Sequence, residues 1–394
     1  MRVKYGELSA EERSARAGAQ RTAREAWLAL REGDSERAEE LLASVDERLA
    51  LELELSANGE QGVAAITSND ASAWPLAELI LAEAPPDLGY ALSLGRAPRS
   101  LDDALAEIRE AYDIELTRAT VRAGFGRGHL LEVTLGVPGG TGSEIEQNAA
   151  ENLVLSLLGE RLFETWIGAV HVTPAPRGGS LRVLDVNAPR HELTLRELLA
   201  TVTAASLGAL RGLPPSRRVL PIRESEQPLT EHGDIVVANG NARDDWALLE
   251  MEPASEVGAL DKSDLVLAST CTPELLRCYL EGSPCSSQRF TRDGERFVYV
   301  AYVDPERSMS KRVAKRTAIE MALSDLVTDA IVTGVGLGAS SSYLDLALFN
   351  LETGLPRLVS KLRELELPRR SLIKFFDTEL ADEWLNIWPD TDTA

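Results

Sequence analysis

Apolar residues recur along the start of the chain at helical spacing. Ala19, Ala23, Trp27, Leu28 and Leu30 fall along one stretch with a 3.6-residue period. Ser9 and Glu12 have capping-box spacing ahead of them, each side chain able to satisfy the other's backbone N–H. Gly33-Asp34 breaks the run, and Asp34 is placed to cap a second helix through Leu42 toward Leu49. Residues 1–50 therefore predict an N-terminal helical hairpin. The stretch AWLALREGDSERAEELL is like one unit of a helical repeat, but no second copy follows and repeat arrays need several.

The period changes at Leu51. LELEL alternates apolar and polar residues and stops at Asn58-Gly59, which predicts a strand and a turn. A helix over Trp74–Ala84 is ended by Pro85-Pro86. Tyr90–Leu94 is a short strand, and Ser100 with Asp103 caps the helix LDDALAEIREAYD. Strands over Ile114–Ala123 and His129–Val137 flank GFGRG. A capping box at Ser143 and Glu146 opens a helix with a wide apolar stripe, Ala150, Leu153, Val154, Leu157, Leu158 and Leu162. Trp166–Thr173 is the closing strand, so residues 51–175 read as one α+β domain.

Residues 176–232 predict a helical connector, from His191 to Leu210 with Thr194 and Glu197 at its start, and then the polar linker RESEQPLTEHGD. Residues 233–394 predict a second α+β domain. Its strands are IVVANG, WALLEME, Leu265–Ala268, FVYVAYV, Ala330–Val335, YLDLALF and SLIKFFD. Its helices are the one begun at Pro273 with Leu275, Leu276 and Tyr279, a second from about Ser310 to Leu326, and LPRLVSKLRELEL. GVGLGASSS is read as a glycine-rich link between two of the strands.

The two domains end alike. Val121–Val172 and Ala330–Phe376 each run strand, strand, helix, strand around a glycine-rich stretch. The expected fold class is therefore α+β, with two ferredoxin-like units of split βαβ type behind the helical hairpin.

Four stretches between Glu54 and Pro174 carry a resemblance. They are SANG at Ser56–Gly59, PLAELILAEAPP at Pro75–Pro86, LLEVTLGVPGG, and AAENLVLSLLGERLFETWIGAVHVTP. This segment resembles the bacterial domain of unknown function 695 family and departs from it at ITSNDASAW and GFGRG. The resemblance implies an α+β fold, no established activity and no functional residues. No family is suggested for the C-terminal half.

Charge narrows the function classes. The 394 residues carry a net charge of −22 with 26% charged and 44% hydrophobic residues, a globular balance whose field repels nucleic acid and anionic membrane. A basic protein is the partner this field would steer. The start of the chain has no apolar core of a secretory signal, and no apolar run is long enough to span a membrane. Cys271, Cys278 and Cys285 cannot all pair within one chain, which fits a reducing, cytoplasmic setting.

Catalytic signals are missing. GFGRG and GVGLG precede strands where a phosphate loop must open a helix, and no Walker motif or GxSxG occurs. The cysteines lie seven apart, too far for a structural zinc pair, and read as buried inert thiols, with a reactive thiolate beside Arg277 or Arg289 as the sharper alternative. His129, His171, His191 and His232 form no metal motif, although His129 and His171 fall on strands of one domain. Asp244-Asp245, Asp377 and Glu383 are carboxylates that a cleft would turn to acid–base work. No catalytic, cofactor or metal residue is assigned.

Two features point to contacts. Arg307, Lys311, Arg312, Lys315 and Arg316 crowd a helix start and predict a basic face, with Phe297, Tyr299 and Tyr302 just upstream. Trp384 and Trp388 are one helical turn apart near the C-terminus and form an aromatic staple or a partner anchor. The leading expectation is a non-enzymatic binding or regulatory protein, for instance an acidic immunity-type protein that masks a basic partner. The alternatives are a hydrolase or transferase using carboxylates in an interdomain groove, and RNA binding through the basic helix.

Overall fold

The computed structural model describes residues 5, 8–54, 62–175, 192–193, 236–237, 247–251, 260–291, 294–306, 308–323 and 329–389. They form a mixed α+β architecture in two compact units. Residues 10–209 make one, and residues 210–394 with 1–9 make the other. Among the described residues no helix is long and apolar enough to cross a membrane.

The first unit begins with α1 (Ala10–Arg31) and α2 (Ser35–Val45), the predicted hairpin. Asp34 caps α2 by accepting from the Arg37 N–H. Trp27 is fully buried and donates its indole N–H to the Ile80 carbonyl at 2.9 Å, which fixes α1 on α3 (Trp74–Leu81). A three-stranded sheet follows the order β1 (Leu49–Glu54), β2 (Gly62–Ser68), β3 (Tyr90–Leu94). After α4 (Leu101–Tyr112) comes a second sheet of β4 (Thr120–Phe125), β5 (Leu131–Pro138), β6 (Ile167–Ala175) and β7 (Glu192–Leu193). Its order is β6-β5-β4-β7.

The predicted capping box at Ser143 and Glu146 is present and opens α5 (Glu144–Leu158). Gly159, at φ +74°, then turns the chain into α6 (Glu160–Trp166). Glu160 fixes that corner: its carboxylate accepts from the backbone N–H groups of Ser68 at 3.1 Å and Arg96 at 3.0 Å. The helix expected from His191 meets strand pairing instead, because Glu192 and Leu193 bond to Arg122 and Val121 of β4. Residues 55–61 with the SANG turn, the remainder of that expected helix and the polar linker lie outside the described residues.

The second unit is built on one antiparallel sheet, in the order β15-β14-β11-β13-β12-β10-β9-β8. The strands are β8 (Val236–Val237), β9 (Ala247–Glu250), β10 (Leu265–Thr270) and β11 (Arg296–Val303). The others are β12 (Ala330–Gly338), β13 (Ser341–Leu348), β14 (Ser371–Phe375) and β15 (Trp384–Asn386). Its helices are α7 (Pro273–Leu280), α8 (Met309–Leu323) and α9 (Leu351–Glu364).

Both faces of this sheet are covered. Val298, Val300, Leu344 and Leu346 pack with Ile319 of α8 and Leu355, Leu358 and Leu362 of α9. Phe297, Tyr299, Ala301, Tyr343 and Ala347 face the other way, toward Leu275, Leu276 and Cys278 of α7. That double cover explains why FVYVAYV is apolar at nearly every position and does not alternate.

The crossovers of the two units differ. β11–α8–β12 steps over β13, and β13–α9–β14 steps over β11, giving the local order β14-β11-β13-β12. In the first unit, β5 and β6 are adjacent and parallel, with no strand between them. The two strand-strand-helix-strand stretches thus share their order along the chain and differ in their sheets.

GVGLG is a strand. Gly334, Gly336 and Gly338 lie within β12, and the turn is confined to Ala339 and Ser340. A Cβ at these glycines would run into the Asp345 carboxylate, the Leu265 side chain and the Asp264 carboxylate respectively. Alternate glycines therefore clear one face of the strand for two acidic side chains.

Candidate ligand-binding site

The cleared face of β12 is where the polar chemistry of the second unit collects. Asp261 accepts from the Ser263 N–H at 3.0 Å and so caps a single helical turn, Lys262–Asp264. The turn sends Lys262 inward. Its ammonium donates to Asp345 at 2.5 Å, and only 1% of the residue is exposed. The rings of Tyr299, Tyr343 and Phe376 lie around it at 5.0, 5.6 and 4.9 Å, a cation–π cage. Burial pulls the Lys262 ammonium below the usual lysine range, and the Asp345 carboxylate opposes that pull.

Asp264 completes the cluster from the other end of the turn. It accepts from the backbone N–H groups of Ser340 at 3.0 Å and Ser341 at 3.1 Å, from the Ser340 hydroxyl at 3.1 Å, and from the Tyr343 hydroxyl. Burial and the adjoining carboxylate push the Tyr343 phenol well above its ordinary range, so it remains a proton donor. Tyr299 shares a 2.7 Å hydrogen bond with Tyr279 of α7, and burial raises both phenols.

Tyr279 and Phe376 also line a cavity of about 320 Å³, together with Asp261, Cys285, Lys374, Asp377 and Thr378. Lys374 and Asp261 make a loose ion pair there, 3.4 Å apart and partly open to solvent. Asp377, by contrast, is fully committed. It accepts from the Ser287 N–H and hydroxyl, each at 2.6 Å, and from Arg296 at 3.1 Å. Burial raises the Asp377 carboxyl, and Arg296 counters the rise. The cavity therefore offers one adjustable pair of opposite charges beside two aromatic rings.

The predicted basic face is divided. Arg312 and Arg316 are 5% and 2% exposed and share a buried stripe of α8 with Ile319, Glu320 and Leu323. Arg312 donates to the Ser341 carbonyl at 2.5 Å. Lys311 and Lys315 stay outside, near Glu306 at 3.6 Å and Asp304 at 3.7 Å, and Lys315 lies over the Tyr302 ring. Arg307 lies outside the described residues. Phe297, Tyr299 and Tyr302 are 0% exposed, so none presents an open ring face for stacking.

The tryptophan pair does not share a helix. Trp384 begins β15, opposite Lys374 of β14, while Trp388 follows that strand and donates to the Leu367 carbonyl at 2.9 Å under Arg369. Sheet pairing at the edge overrides the four-residue spacing. His129 is in the turn between β4 and β5, whereas His171 is in β6 opposite Thr134, so the expectation that both lie on strands is corrected. Glu383 is buried and accepts from the Tyr5 N–H at 2.9 Å. Asp244-Asp245, His191 and His232 lie outside the described residues.

Lys262, Asp345, Asp261 and Lys374 were not singled out by sequence reasoning. The available signals were the DKSD turn and glycine at every second position of a strand. Among the described residues no three histidine, cysteine or acidic side chains are placed to hold a metal ion. The chain matches no protein-family model, no curated protein and no solved structure.

Proposed function

We propose that this is a non-enzymatic binding protein whose C-terminal unit takes a small zwitterionic molecule, of the size and charge pattern of an amino acid, into the 320 Å³ cavity. The loose Asp261–Lys374 pair carries this reading. The other charges nearby are locked: Lys262 to Asp345, Asp264 to Ser340 and Ser341, and Asp377 to Ser287 and Arg296. Among the described residues of the cavity, the loose pair is the one that can open at low cost and give one carboxylate and one ammonium to a ligand's ends, with Tyr279 and Phe376 against its body. The split crossovers of β11–β14 favour a ferredoxin-like reading of this unit, and three cysteines outside any disulfide favour a cytoplasmic setting.

Calorimetric titration with amino acids, and with analogues lacking either charge, tests the proposal. Zwitterions should bind, and Asp261→Asn or Lys374→Met should each weaken binding by about tenfold or more, some 1.4 kcal/mol. Equal binding of singly charged analogues, or unaltered affinity in both variants, would contradict it. A second reading, a basic protein partner drawn by the charge of −22, predicts capture at low salt that is lost at high salt.

A further inference from the structure

A strand at the edge of a sheet offers a row of unpaired backbone groups to other chains, and folds protect such edges with charge, proline or cover. Two edges of the first unit are protected. On β6, the Gln147 side chain donates to the Val170 carbonyl and accepts from the Val172 N–H at 3.0 Å. β1 carries Glu52 and Glu54, bound to Arg96 and Arg99. β3, at the other end of its sheet, has neither device: YALSL contains no charge and no proline.

The backbone of β3 shows which groups face outward. Just past the strand, the Gly95 N–H donates to the Ile66 carbonyl of β2 at 2.8 Å. Backbone direction alternates along a strand, so Ser93 and Ala91 also face β2, while Tyr90, Leu92 and Leu94 turn their N–H and C=O groups away from it. Among the described residues nothing bonds to the outward groups of Leu92. Its side chain lies beside that of Ala64, which is fully buried, and so carries the buried face of the sheet out to the edge, where Leu92 is 42% exposed.

We propose that β3 is a dimerisation edge, which pairs antiparallel with β3 of a second copy about a two-fold axis at Leu92. That register sets Leu92 opposite its own counterpart and Tyr90 opposite Leu94, apolar against apolar. Two three-stranded sheets become one, and the self-complementary contact closes at two copies. The flanks select the direction. Asp87 precedes the strand, 70% exposed and 3.4 Å from Arg31, and Arg96 follows it, partly exposed and bound to Glu52 at 2.6 Å. Antiparallel pairing brings the Asp87 end of one copy to the Arg96 end of the other, whereas parallel pairing would set like ends together. Two chains of charge −22 repel at a distance, so an uncharged edge is where they can meet.

Sedimentation equilibrium of the intact chain over a concentration series tests the pairing. It should show monomer and dimer, with the dimer gaining as salt screens the net charge. Leu92→Lys and Leu92→Glu each set like charges opposite one another and should raise the dissociation constant at least about tenfold, and mixing the two variants should restore the dimer. A dimer indifferent to either substitution, or a mixture no more associated than its components, would overturn the proposal. So would a Leu92 amide whose hydrogen exchange is slowed by a basic peptide and not by raising the protein's own concentration. An unsubstituted chain that stays monomeric at every concentration overturns it even where a variant fails to fold.

Discussion

Lys262 shows how a charged side chain can be a core residue. Its ammonium has one carboxylate, Asp345, and three aromatic rings for surroundings. Removing one partner of a buried pair leaves the other charge uncompensated, which costs about 3–5 kcal/mol, whereas replacing both with apolar residues is often neutral. Lys262→Met should therefore lower unfolding stability by about that amount in urea titrations, and Lys262→Met with Asp345→Leu should recover most of it. Equal losses in the single and double variants would show that the aromatic packing, and not the ion pair, holds the turn. The DKSD turn alone does not reveal that this lysine is buried, because its burial depends on Gly334, some seventy residues away, which makes room for its partner Asp345.

At the scale of elements, the legible parts are those in which local chemistry and tertiary packing agree. The Ser143–Glu146 capping box starts α5 where the sequence indicates, and the unbroken FVYVAYV becomes a central strand. β2 went unseen because Gly62, Ala64 and Ala65 give neither alternation nor branched bulk, although its pairing with both β1 and β3 fixes it. GVGLG looked like a link because glycine weakens a strand in isolation, and only Asp264 and Asp345 explain its use. On α8 the spacing of Arg312 and Arg316 matched a basic face, yet the same two positions continue to Ile319, Glu320 and Leu323 as a buried stripe.

The helix pair α3 and α6 carries a pH-dependent contact. Trp74 donates its indole N–H to Glu164 at 2.7 Å. Burial, reinforced by the charge of Glu160, pushes the Glu164 carboxyl up to about 7 from an ordinary value of 4.5. The folded state thus binds the proton more tightly than the unfolded chain does. Its contribution is complete below the unfolded value of 4.5 and is lost as pH rises toward 7. Glu164→Gln keeps an acceptor for Trp74 and removes the titration. Urea denaturation should find the variant more stable than the unsubstituted protein at about pH 8, with the advantage gone at about pH 4. A difference independent of pH would place the effect elsewhere.

Across the whole molecule, the two units differ in what their polar residues do. The N-terminal unit contributes caps, surface ion pairs and a carboxylate corner at Glu160, all of which serve its own folding. The C-terminal unit surrounds one sheet with cores on both faces and places a cavity and the buried Lys262 with its aromatic cage on the same side. Its aromatic and glycine positions were readable one by one, but their convergence depends on strands that are distant in sequence, β10, β12 and β13. The proposed zwitterion would sit in this cavity. Backbone amide spectra recorded during titration with a binding amino acid report it most directly. Shifts are expected to concentrate at Gly282, Ser283, Thr378 and Ala381, residues that line the cavity. Shifts centred in residues 10–209, or a saturated complex that leaves those four amides unmoved, would contradict it.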